Sequence, residues 1–257
     1  MTTISPVRWS NLVNMGLSPY EYDYHIRNPK TETPAMRIGG YTHQLVLGKN
    51  SHEYTIFDDG RRQGAIWEAF KAEHVGKSIL TRKEADTSAA CAETLLDPRF
   101  SECLEHLTYG TTEQTLSWSV GVRACVGTPD VHSDRSVVDL KITADVNPRA
   151  LQYHARRRAW HAQLAWYANG LEQIHPAPDR KLILVCVKSK PPHTATPVVL
   201  DKSTIAIGNK VWRAWFEELL ICEAANHWPP YSETLVPWSI ADEGEHELIF
   251  HDDDEIL

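Results

Sequence analysis

Apolar and polar positions along this chain change period several times, and the changes mark its elements. Near the N-terminus three hydroxyl–proline pairs each precede a run with helical spacing: Ser5-Pro6, Ser18-Pro19 before Tyr20 to Ile26, and Thr33-Pro34 before Ala35 to Leu47. A Ser or Thr oxygen satisfies free N–H groups at a helix start, and proline fits the first turn. Three helices are therefore predicted. The third carries adjacent Gly39 and Gly40, each of which weakens a helix by about 1 kcal/mol, so a close backbone approach is expected there. Glu53 to Phe57 alternates like a short strand, and Gln63 to Glu73 reads as a helix. Thr81-Arg82-Lys83-Glu84 is a capping box that opens a helix running to about Leu96.

The period then shortens to two. In Thr111 to Ser119, Gln114, Leu116 and Trp118 fall on one side, and Glu113, Thr115 and Ser117 on the other. Val122 to Val126 is a second strand and Val137 to Thr143 a third. On the third, Val138, Leu140 and Ile142 share one face while Val137, Asp139 and Lys141 share the other. Helical spacing returns from Arg149 to Gly170, with the stripe Tyr153, Trp160, Leu164, Tyr167 and Leu171. Lys181 to Lys188 is apolar almost throughout, as in a central buried strand. A last helix covers Ser203 to Ala225, ahead of Trp228-Pro229-Pro230-Tyr231. This order predicts an α/β chain, more closely a mixed α+β one, with a mixed sheet flanked by helices on both faces.

A length of 257 residues suits one large domain. We divide it into a helical part (1–110), a core (111–231) and an acidic tail (240–257) that includes Asp252-Asp253-Asp254-Glu255. No apolar run is long enough for a bilayer, so no membrane partner is expected. The first residues lack the basic-then-apolar order of a secretion signal. Five cysteines without CxxC spacing argue against a structural zinc or iron–sulfur site and for a reducing cytoplasm. The net charge of −8 weighs mildly against a nucleic-acid partner. Part of it lies in the tail, and part in acids that a bound cation would neutralise.

The chemistry gathers around the third strand. Asp139 and Lys141 stand side by side on one face, backed by an apolar face that can fix them in a core. Asp130, in Gly127-Thr128-Pro129-Asp130, precedes that strand across a short reversal that would bring it close to Asp139. Two carboxylates and the Leu140 backbone carbonyl between the two polar positions are oxygen ligands suited to Mg²⁺. A lysine beside the metal-bound water could orient it and offset charge at phosphorus. Glu113 could join the acids from the strand upstream. Gln163 and Tyr167, four apart on the long helix, share a face. Arg156, Arg157 and Arg158 could meet phosphates. Neither HExxH nor GxSxG occurs, and Gly76-Lys77-Ser78 lacks the first glycine of a phosphate loop because Lys71 occupies its place.

These pieces resemble the PD-(D/E)xK nuclease superfamily, and more narrowly its RecE-type phage and prophage exonucleases (exodeoxyribonuclease VIII), cousins of lambda exonuclease. The likeness is carried by Thr33 to Gly39 leading to His43, Gly76-Lys77 with Leu80-Thr81, Glu113 with Leu116 to Trp118, Gly127 to Asp130, Asp139 to Thr143, Gln163 to Tyr167, and Trp228 to Tyr231. It implies a restriction-endonuclease-like core. Asp130 and Asp139 would be metal-binding acids, with His43 reaching the site from the N-terminal helix and Lys141 as catalytic lysine. Glu113, Gln163 and Tyr167 would complete the site, and Arg37 would contact DNA. The implied activity is Mg²⁺-dependent (Mn²⁺ as substitute) 5′→3′ digestion of double-stranded DNA ends. It leaves 3′ single-stranded tails for recombination with a single-strand annealing protein. A homo-oligomeric ring, trimer or tetramer, encoded by phage or prophage in a bacterial cytoplasm, is also implied. Thr128-Pro129 stands where relatives often carry a basic residue. Another nuclease on the same core, an endonuclease or a CRISPR-adaptation-like enzyme, or a non-catalytic DNA-end-binding protein are the alternatives.

Overall fold

The computed structural model describes residues 5–48, 53–177 and 179–237; the acidic tail predicted at 240–257 lies outside them. The N-terminal part forms strand β1 (Val7–Arg8), the helical turn α1 (Trp9–Leu12), and helices α2 (Pro19–Arg27) and α3 (Pro34–Leu47). Next come β2 (Tyr54–Phe57), α4 (Gly64–Glu73), β3 (Ser78–Thr81), α5 (Arg82–Leu95) and α6 (Ser101–Thr108). A run of strands follows: β4 (Thr111–Thr112), β5 (Leu116–Val120), β6 (Arg123–Gly127), β7 (Val131–His132) and β8 (Ser136–Thr143). The order closes with α7 (Pro148–Arg157), α8 (Trp160–Ile174), β9 (Lys181–Lys188), β10 (Ala195–Val199) and α9 (Lys202–Ala225).

Two of the three hydroxyl–proline starts form as expected. Ser18 Oγ accepts from the Glu21 N–H and Thr33 Oγ1 from the Met36 N–H, each at 3.2 Å. The Thr81–Glu84 capping box is complete in both directions. Ser5-Pro6 opens no helix. Val7 and Arg8 instead pair in parallel with Cys125 and Val126, which buries Val7, and α1 starts only at Trp9.

The largest sheet has the order β10-β9-β8-β7-β4. It is mixed: β8 and β9 run parallel across the α7–α8 crossover, and the other neighbours are antiparallel. The Leu116–Gly127 hairpin leaves this sheet and makes a second one with β1. Thr111 to Ser119 is thus not one continuous strand. Glu113 takes a left-handed conformation (φ 46°) and redirects the chain between the sheets.

Alternation along β8 sends its two faces into two cores. Val138 and Leu140, with Ile183, Val185 and Val187 of β9, pack against Leu47 of α3, Cys91 and Leu95 of α5 and Leu107 of α6. Val137, Leu182, Leu184 and Cys186 face the other way, toward α8 and α9. Trp166 is the centre of that second layer, 5.0 Å from the Trp118 ring and 5.4 Å from Trp212. Gly170 lets the helix come this near, since a Cβ there would lie 2.6 Å from the Trp118 ring.

The helix expected from Arg149 to Gly170 is broken. Ala159 has φ 53°, and α7 ends as the Arg158 N–H bonds to the His154 carbonyl. A continuous helix would have to place Tyr153 on the same buried stripe as Trp160. The break frees the two halves to rotate, so Trp160 is buried while Tyr153 is 63% exposed. At Gly39 the expected close approach is absent, because nothing lies within 4 Å of a Cβ built there.

Arg37 belongs to the fold. Its guanidinium is largely buried, 2.6 Å from Glu84, whose other oxygen lies 3.0 Å from Arg62. This clamp ties α3 to α5 and removes Arg37 from the residues free to meet DNA. Burial alone would raise the Glu84 carboxyl, but hydrogen bonds from Arg37 and the Thr81 N–H, with the charges of Arg37 and Arg62, hold it below its usual value. A depressed carboxyl contributes stability above its ordinary titration range and loses it as pH falls through the folded value. Glu84→Gln should therefore cost about 3 kcal/mol at neutral pH, with the gap to wild type closing below about pH 4. Urea unfolding across pH measures this, and an unchanged midpoint at pH 7 would refute the clamp.

Candidate active site

The row of acids follows from register. Thr112 pairs with Val131, and Val131 with Val138. One step further along the same ladder stand Glu113, Asp130 and Asp139. The first link of that step is present, as the Glu113 N–H donates to the Asp130 carbonyl at 2.9 Å. One step beyond, Pro129 would oppose Leu140. Proline has no N–H to give a ladder, so pairing stops and the Leu140 backbone is left to side chains. Its N–H donates to Asp130 Oδ2 at 2.6 Å. Its carbonyl accepts from His43 Nε2 at 3.1 Å.

His43 reaches this point from α3, with Nδ1 3.4 Å from Asp130 Oδ1. Lys141 Nζ lies 2.7 Å from Asp139 Oδ2. The strand period thus brings Asp139 and Lys141 together, and the turn brings Asp130 to their edge. Asp139 is buried, while Lys141 keeps 21% of its side chain exposed, so the site opens to solvent on the lysine side.

Four titratable groups share this volume, and each feels the charge of the others. Burial raises the Asp139 carboxyl to about 6, with repulsion from Asp130 adding to it and Lys141 opposing it. Burial would raise Asp130 too, but the charge and hydrogen bond of His43, with Lys141 and the Leu140 N–H, hold it below the usual range. Burial would lower Lys141 and His43; the neighbouring carboxylates outweigh it and raise both, Asp139 acting most strongly on Lys141 and Asp130 on His43. Lys141 is therefore an ammonium at neutral pH, and Asp139 is the strained member.

The wall opposite is α8. Gln163 Nε2 donates to Tyr167 Oη at 3.0 Å, which leaves the phenol proton free to point elsewhere. Burial, then the nearby Asp139 charge, push the Tyr167 hydroxyl up, so it remains a donor. Tyr167 packs against the end of β6, where a Cβ on Gly127 would lie 2.8 Å from its ring. Gly127→Ala should displace Tyr167, cost about 1–3 kcal/mol of stability and lower activity. Intact thermal stability with a native tyrosine environment would contradict the packing.

A divalent cation fits this donor set. Asp139 Oδ2 is buried and receives no well-directed hydrogen bond despite its nearness to Lys141, so it carries an unspent lone pair. Among the described residues no three His, Cys, Asp or Glu side chains are grouped to enclose a metal. Two carboxylates plus the Leu140 carbonyl is instead the partial oxygen set of Mg²⁺, which keeps several places for water and substrate phosphate. Both His43 nitrogens already face protein oxygens, so His43 would have to release one to ligate. Arg156, Arg157 and Arg158 lie outside this cluster, exposed at the end of α7. Sequence reasoning missed the stopping effect of Pro129, although its lack of an N–H was readable from the Thr128-Pro129-Asp130 order.

The fold is similar to that of a candidate exonuclease from Eubacterium rectale, with a TM-score of 0.64 at 10% identity, over 92% of this chain and 91% of that one. A phage-related exonuclease from Haemophilus somnus 129PT aligns over 86% of this chain and 96% of its own, at 12% identity and a TM-score of 0.35. No curated protein matches the sequence, and no helix among the described residues is long and apolar enough to cross a membrane. Residues 16–236 match the PDDEXK-like domain of unknown function, DUF3799, and it is to this PDDEXK-like family that the chain belongs.

Proposed function

We propose that this protein is a Mg²⁺-dependent 5′→3′ exonuclease acting on double-stranded DNA ends, with Mn²⁺ able to substitute. The observation that carries the reading is the meeting of Asp130, Asp139, Lys141 and the Leu140 carbonyl at one point of the sheet, within a PDDEXK-like domain. Asp130, Asp139 and the Leu140 carbonyl would hold the cation, with His43 and Glu113 beside them. When bound, the cation supplies an activated water and neutralises charge on the phosphate. Lys141 contributes a fixed positive charge beside the phosphate and a donor that orients the attacking water. Asp139 holds Lys141 in that position. The Tyr167 hydroxyl, anchored by Gln163, presents a donor from the opposite wall. The sequence resemblance extends the reading to a homo-oligomeric ring that supplies 3′ tails to an annealing partner.

Digestion of linear duplex labelled separately at each 5′ and 3′ end tests the proposal. Early release of the 5′ label, only with Mg²⁺ and not from closed circles, is expected. Cutting of closed circles, or release without metal, would overturn it.

A further inference from the structure

Arginines elsewhere in this fold are mostly neutralised. Arg37, Arg62, Arg123, Arg135 and Arg180 each stand against a carboxylate. Helix α7 departs from that pattern. From Val146 to Leu171 the chain has no Asp or Glu, although its net charge is −8. Among the described residues Arg149, Arg156 and Arg157 make no ion pair, and all three are exposed.

Their arrangement is one-sided. With 100° per residue, Arg149, Tyr153 and Arg156 lie on one side of α7, with Arg157 at its margin. Leu151, the buried residue of the helix, and Ala155 lie on the opposite side and pack on the core. Tyr153 is 63% exposed between the arginines. Nothing in an apolar core demands this tyrosine, since the break at Ala159 turned it outward.

The position is equally specific. α7 starts just beyond the Lys141 end of β8, and the break that ends it, at Ala159, lies one helical turn before Gln163, whose N–H bonds to the Ala159 carbonyl. Its length of about 15 Å matches a few successive nucleotides of a stacked strand, which advance about 3.4 Å each along its axis. A groove of cations that follows a backbone, with an aromatic ring for an unpaired base, is how single strands are held without sequence preference.

We propose that the outer face of α7 is a rail for single-stranded DNA, in which Arg149, Arg156 and Arg157 hold phosphates and Tyr153 stacks on a base. The inference rests on the nuclease reading for its biological strand, the one exposed as its complement is removed. Duplex alone would use the arginines and leave the ring idle, because paired bases hide their faces.

Binding of a fluorescent oligothymidylate, of blunt duplex, and of phosphatidylserine vesicles, all in EDTA to stop cleavage, tests this. Arg149→Gln/Arg156→Gln should weaken oligothymidylate binding about tenfold or more and reduce the slope of log K against log salt by about 1.4, at about 0.7 per phosphate lost. Tyr153→Ala should weaken it about tenfold with the slope unchanged, and Tyr153→Phe should restore it. Equal losses on duplex and single strand, no effect of Tyr153→Ala, or vesicle binding without oligothymidylate binding would each overturn the rail. Circular dichroism confirms that α7 folds in each variant. Wild-type digestion in Mg²⁺ without these affinity losses would remove the rail alone. The affinity losses without any digestion would remove the nuclease reading and leave the rail standing.

Discussion

Lys141→Ala is expected to lower Mg²⁺-dependent digestion of linear duplex by about 10³-fold, near the upper range for losing one preorganised donor at a developing charge. The physical reason is on β8. The side chain is held at 2.7 Å by a buried carboxylate and, like His43 and Asp130, is partly exposed, so it stands where a phosphate can reach it. Its ammonium is stabilised by Asp139 and Asp130 against the cost of burial. Removing it also leaves two carboxylates close together with only His43 to balance them, so the metal-free variant should melt lower than wild type. Added Mg²⁺ should recover much of that difference, because a cation replaces the lost charge. Lys141→Arg should not restore activity, since a planar guanidinium does not fill the place of a compact ammonium. Full activity in the alanine variant would remove Lys141 from the chemistry.

Asp139→Asn should also lose about 10³-fold in activity, yet its metal-free fold should be as stable as wild type or more so. Burial and Asp130 push the Asp139 carboxyl up to about 6, above its ordinary value of about 3.9. For an acid raised in this way the folded state disfavours the charged form. The penalty is complete above about pH 6 and is relieved as pH falls toward about 4. Asparagine removes it at neutral pH, and the charge lost beside Lys141 offsets part of that relief. Mg²⁺ should raise the melting temperature of wild type and leave that of Asp139→Asn unmoved. Thermal melts at pH 8 with and without Mg²⁺ measure both effects. A variant that melts well below wild type in metal-free buffer would show Asp139 to be structural.

Much of this site was legible because a strand has a rigid period of two. Val138 and Leu140 had to face one core, so Asp139 and Lys141 had to share the other side, and they do. Asp130 was legible for a similar reason: a short reversal before an antiparallel strand fixes which residues oppose each other, and it falls at Ser133 to Arg135 rather than at the Gly-Pro segment. What the sequence hid depended on single dihedrals or on distant partners. The left-handed Ala159 breaks a helix whose apolar spacing reads as continuous, and this moved Tyr153 from an expected core stripe to the surface. The left-handed Glu113 splits an alternating run between two sheets in the same way. Arg37 looked available because its partner, Glu84, is far away in sequence and is also the capping residue of α5. Gly39 suggested a close neighbour that does not exist, since a glycine is permissive of contact without requiring it.

The most direct measurement is an anomalous-scattering map from crystals grown with Mn²⁺. The account predicts one strong peak within about 2.0–2.3 Å of carboxylate oxygens from both Asp130 and Asp139 and of the Leu140 carbonyl, absent from Asp139→Asn crystals. A map with no density between the two aspartates at saturating Mn²⁺, or with the ion held elsewhere, would contradict it.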